Sequence, residues 1–132
     1  MIHEHELVYA EGREPYPGRS KAQQTLKPGT ATALEMNSQP IGGLVPYHTP
    51  GHSPGHVAYF HPADGVLLAG DLFTSRRGEL RPPIAMFTSD MAQAIESAEI
   101  LNHLSPKHLE ICHGEPITNP AEQLDEYRRR YA

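Results

Sequence analysis

Positive charge, cysteine and long apolar runs are all scarce in this chain of 132 residues, and each shortage closes a class of function. Eleven Lys and Arg stand against sixteen Asp and Glu, a net charge of −5, with a sequence pI near 5.9. A chain without a basic surplus has no field to collect phosphates, so neither nucleic acid nor an anionic membrane is expected as a partner. One cysteine, Cys112, allows no internal disulfide. No apolar stretch approaches the roughly 20 residues that cross a bilayer, and the N-terminus carries no signal-peptide-like apolar region. These absences predict a reduced, cytoplasmic protein. A length of 132 residues fits one domain, which at that size buries about two-thirds of its extended-chain surface.

What the chain does contain is a loop crowded with imidazoles, His48-Thr49-Pro50-Gly51-His52-Ser53-Pro54-Gly55-His56. Two Pro-Gly pairs leave it little freedom for regular structure, so the histidines are held together at the end of a strand. Such a loop can be a stiff turn whose histidines face water, or a presentation of metal ligands. Asp71 favours ligands. Val57–His61 and Val66–Ala69 are strand-like runs around the turn Pro62-Ala63-Asp64-Gly65. That hairpin returns Asp71 to the edge where His52 sits, and a carboxylate beside an imidazole suits Zn²⁺, Fe²⁺ or Mn²⁺.

Downstream, Ile111-Cys112-His113-Gly114-Glu115-Pro116 follows a predicted helix and strand. A Thr-Pro-Gly-His loop, a Gly-Asp after the next hairpin and this His-Gly-x-Pro, in that order, resemble the second half of a metallo-β-lactamase superfamily hydrolase. The resemblance covers about Ile41 to the C-terminus. It implies an α/β fold, the C-terminal part of an αββα sandwich, with one mixed sheet and flanking helices. It also implies that His52 binds one metal, Asp71 bridges two and His113 binds the second, with zinc expected first and iron or manganese as alternatives. His48 and His56 are then companions that steer the loop by hydrogen bonds rather than ligands. The implied chemistry is metal-assisted hydrolysis of a small-molecule substrate. Lactams, thioesters, lactones and phosphodiesters all fall to this superfamily, so the bond stays open.

The superfamily's first metal motif, His-x-His-x-Asp-His, is matched only halfway by His3-Glu4-His5, because Leu7 and Val8 follow where Asp and His belong. Residues 1–3 read instead as a strand end and Glu4–Ala10 as a short helix, with His3 and His5 as surface residues. On that reading the chain, 1–132, is a single partial domain lacking the N-terminal half and its ligands. Its hydrolase function then depends on the missing half; the alternative is a truncated, non-catalytic module that self-associates. The sheet face left bare predicts a homo-oligomer.

The remaining expectations concern the frame. Residues 11–40 form a polar, loop-rich excursion with one short helix over 20–26, and Arg13 or Tyr16 are candidates for substrate contact. Gly42–Tyr47 leads into the histidine loop as a strand that Pro46 places at an edge. Leu72–Pro83 should be a loop near the metal, its Arg76, Arg77 and Arg81 available to an anion or to water. Asp90 caps a helix with an apolar stripe running to Leu104, and Ser105-Pro106 stops it. Cys112 should be a small buried side chain. Asn119-Pro120-Ala121-Glu122 opens a last helix with Asn as cap, its packing face Leu124, Tyr127 and Tyr131. Arg128–Arg130 then offset that helix's negative end.

Overall fold

The computed structural model describes residues 2–17, 22, 33–34 and 40–132. The helix expected over 20–26 lies outside the described residues. In chain order the elements are β1 (Ile2–His3), α1 (Glu4–Ala10), β2 (Ala33–Leu34), β3 (Val45–His48), β4 (Val57–His61), β5 (Val66–Arg76), β6 (Glu79–Arg81), α2 (Met91–Ser97), α3 (Ile100–Leu104), β7 (His108–His113), β8 (Ile117–Thr118) and α4 (Leu124–Tyr131). Strands β1 and β2 pair in parallel on their own. The main sheet runs β3-β4-β5-β7-β8 with β6 added to the far end of β5; only β5 and β7 run parallel. This is the mixed α/β sheet with flanking helices that the sequence implies. Among the described residues no helix is long and apolar enough to cross a membrane.

Strand alternation decides which face is core. Phe60, Leu67 and Leu109 are register partners, and Leu67 and Leu109 are fully buried. They pack with Ile95, Ala98 and Leu101 from the α2–α3 region and with Leu124 and Tyr127 of α4. Tyr59, Leu68 and Glu110 are partners one residue on and face the other way, where Leu68 is 38% exposed although it sits in the central strand. The main sheet is therefore closed on one side and partly open on the other.

Several expectations fail for identifiable reasons. The segment after Asp71 is no loop, since β5 continues to Arg76 and turns into β6. The proline pair forbids a helix but not a strand that ends before it, and Arg77 and Gly78, with φ of 54° and 76°, supply the positive angles of a tight hairpin. The helix expected from Asp90 is interrupted at Ala98–Glu99, although Asp90 caps its first half by accepting from the Gln93 N–H at 3.0 Å. Asn119 does not cap. It adopts a left-handed conformation (φ 48°), its N–H donates to Lys107 O, and a 3-10 turn over Pro120–Gln123 precedes α4. Cys112 is exposed, because β8 pairs only with His108 and Leu109 and leaves the end of β7 uncovered. The terminal arginines do more than offset a dipole: Arg128 pairs with Glu99, Arg129 with Glu126, and Arg130 with Glu79.

Candidate metal centre

Three segments meet at one rim of the main sheet. The loop between β3 and β4 brings His52, the middle of β5 brings Asp71, and the last residue of β7 is His113. Asp71 arrives through an irregularity: Gly70 takes a positive φ of 56°, and the β5–β7 register slips on both sides of it. Such a slip turns one side chain out of the regular alternation. His52 Nε2 lies 3.5 Å from one carboxylate oxygen of Asp71, and His113 Nε2 lies 3.5 Å from the other. The three residues line an open cavity of about 240 Å³ together with Thr74, Pro83, Ile84 and Phe87.

Those two distances fit a cation better than they fit hydrogen bonds. Charge-assisted N–H···O contacts close to about 2.7–2.9 Å, whereas two ligands at 2.0–2.2 Å from one tetrahedral ion stand roughly 3.4 Å apart. Asp71 shows one oxygen to each imidazole. His52 Nδ1 is buried without a hydrogen-bonding partner among the described residues. The donor set of two imidazole nitrogens and a carboxylate suits zinc, iron or manganese alike.

His48 and His56 each make identifiable bonds. Asp71 N–H donates to His56 Nε2 at 3.1 Å, so the ring proton sits on Nδ1 and donates to Thr49 Oγ1 at 2.9 Å. His48 Nε2 donates to Pro54 O at 2.8 Å. Loop and α2 are joined by Ser89 N–H to His52 O and Asp90 N–H to Gly51 O.

Two contributions escaped the sequence. Glu6, on α1, is buried and accepts from Gly55 N–H at 3.2 Å and from Tyr16 O–H at 2.7 Å, so α1 clamps the histidine loop from the far side. Tyr16 is thereby a partner of Glu6, and Arg13 pairs with Glu11; neither lines the cavity. Arg76, Arg77 and Arg81 do not line it either. His3 is not a surface residue: it is 5% exposed, accepts from His5 N–H through Nδ1, and stacks on His48 with ring centres 3.9 Å apart. His3, exposed His5 and His48 each offer a nitrogen within 4.8 Å of the others. The rings of His3 and His48 stack within 16° of parallel, and His3 Nδ1 and His48 Nε2 are already engaged, by His5 N–H and Pro54 O. A lone helix-start histidine gives no signal of such a role in sequence.

His3 and His56 are both held below the ordinary imidazole value, by burial first and then by the neighbouring histidine, His48 for His3 and His52 for His56. The folded state therefore keeps them neutral at a pH where unfolded imidazoles, near about 6.5, take up protons. Their contribution to stability is present above that value and is lost as the pH falls below it. Denaturant midpoints of chelated protein should be lower at pH 5.5 than at pH 7.5, and less so in His56→Gln. Equal midpoints would contradict the assignment.

A model of the metallo-beta-lactamase superfamily matches residues 1–109. "Probable metallo-hydrolase YybB" of Bacillus subtilis (strain 168) is 38% identical over 134 residues, covering 99% of this chain and 60% of that protein. The chain thus spans less than two-thirds of that relative's length. Among solved structures, the metallo-beta-lactamase family protein TTHA1429 of Thermus thermophilus superposes with a TM-score of 0.68 at 21% identity, over 98% of this chain and 51% of its own. TTHA1623, solved in a di-iron-bound form, gives 0.63 at 26% identity over 92% and 60%.

Proposed function

Because the chain belongs to the metallo-beta-lactamase superfamily, we propose that it is a metal-dependent hydrolase of a small-molecule substrate, with His52, Asp71 and His113 as the metal ligands it contributes. The observation that carries this reading is the pair of 3.5 Å contacts from the two oxygens of Asp71 to two different imidazoles. A bound divalent cation would supply Lewis acidity and bring the pKa of a water near neutral. The chain's own residues fix the geometry: His56 holds the Asp71 backbone, Glu6 holds the histidine loop, and Thr74 faces the reacting space. Zinc is the first expectation. Iron is supported by the di-iron form of TTHA1623, and manganese by the donor set.

Three ligands would leave open positions on a cation, and 64% of the His113 side chain is exposed. The half-open face carrying Tyr59, Leu68 and Glu110 supports association with a second copy of the chain, and it favours the second reading, a self-associating module without catalysis. A cytoplasmic location is supported by the single cysteine, which calls for no oxidising compartment.

Elemental analysis of the chain with His52→Ala and His113→Ala tests the ligand set. Bound metal should fall by about tenfold or more in each variant, and equal content in all three would refute the assignment. Light scattering on the same samples should give a dimer or larger at high concentration, and a strict monomer would remove the association.

A further inference from the structure

Five large apolar side chains are exposed among the described residues, and three of them fall within four positions: Ile84 (44%), Met86 (82%) and Phe87 (60%). The segment is not loose. Thr74 Oγ1 donates to Pro82 O at its base, Phe87 N–H and Thr88 Oγ1 donate to Ile84 O, Thr88 N–H donates to Ala85 O, and Ser89 N–H donates to His52 O. Those bonds fix the 3-10 turn over Ala85–Phe87 and the residue before it. Pro83, Ile84 and Phe87 form one wall of the cavity whose other wall is His52, Asp71, His113 and Thr74.

We propose that Ile84 and Phe87 form the recognition wall for the hydrocarbon part of a short acyl substrate, a neutral ester or lactone. This rests on the hydrolase reading. Large apolar side chains held rigidly in water are costly unless something covers them, and the cavity joins them to the reacting groups. Water adds across the acyl–oxygen bond; the carbonyl carbon gains the hydroxyl, the alkoxy group leaves with a proton, and nothing is oxidised or reduced. A phosphoryl compound, whose charged oxygens cannot be buried against Ile84 and Phe87 without loss of hydration, is the substrate this wall selects against. The cavity is smaller than the roughly 300–1,000 Å³ that takes drug-sized ligands, which limits the chain length.

The test is binding of the product-like probes acetate, butyrate and hexanoate, and of inorganic phosphate, to the metal-loaded chain, followed through the methyl resonances of Ile84 and the ring resonances of Phe87. Affinity should rise by about fourfold per added methylene until the cavity is full, with the largest shifts on those two side chains. Phe87→Ala, an exposed position whose loss leaves the core intact, should hold the same metal and lose most of the chain-length dependence. Metal retained with affinity independent of chain length, or phosphate binding tighter than hexanoate, would overturn the wall and leave the hydrolase reading standing. No bound metal and no acetate binding would overturn both.

Discussion

Asp71→Asn should remove metal more completely than any other single substitution while leaving the metal-free fold almost untouched. Structural zinc sites of four ligands bind with roughly 10–16 kcal/mol, about 3 kcal/mol or a hundredfold per ligand. On the proposed ligand set each imidazole would serve one ion. Asp71 turns one oxygen toward His52 and the other toward His113 at 3.5 Å each, so its loss is felt on both sides. Asparagine keeps the shape, but its amide replaces one of those oxygens with a donor that cannot ligate. The backbone N–H that reaches His56 Nε2 is unchanged, and the side chain is one-third exposed, so in chelator the melting midpoint should reflect less than about 0.5 kcal/mol. With metal at about a hundredfold above its dissociation constant the unaltered chain gains about 2.7 kcal/mol and the variant gains almost nothing. Melting curves with and without metal therefore separate a ligand from a structural carboxylate, and a variant that melts and binds like the parent would end the bridging assignment.

The parts of this site that can be read in the sequence are those a short periodic pattern carries. The hairpin from Val57 to Ala69 is legible because two β-branched and aromatic runs flank a Pro/Gly turn, and it places Asp71 on the side of His52. The strand to His113 is legible because Leu109 and Ile111 alternate with polar neighbours. What cannot be read depends on partners distant in sequence. Glu6 has the local pattern of an ordinary acidic residue in a first helical turn, and nothing nearby shows that Gly55 will come to it. Cys112 defeats a local reading because burial at a strand end depends on how far the neighbouring strand runs, and β8 stops short. Arg77-Gly78 is a weak hairpin signal beside Asn-Gly or Asp-Gly, which hides the continuation of β5. Asn119 offers both a cap and a left-handed turn, and the bond from its N–H to Lys107 O decides for the turn.

Gly51→Ala should be the most damaging substitution for the fold around the site. Gly51 has φ 141°, a region that side chains rarely enter, and a Cβ there would lie 2.3 Å from the backbone nitrogen of Ala94. The clash is with backbone at the first turn of α2, so no side chain can swing aside. Gly51 O also accepts from Asp90 N–H, and His52 O from Ser89 N–H, which makes this crossing the place where the histidine loop is fastened to α2. Strain costs of about 1–3 kcal/mol and overpacking of about another 1–3 kcal/mol put the expected loss near 4 kcal/mol, a large share of the roughly 5–15 kcal/mol that holds a domain together. Gly42→Ala separates the two terms, because Gly42 also has a positive φ (60°) but nothing within 4 Å of the added carbon. It should lose about 1 kcal/mol by urea denaturation and keep its metal. If Gly51→Ala were no worse than Gly42→Ala, the loop would not be seated against α2 as described, and His52 would lose the fixed position that brings it to Asp71.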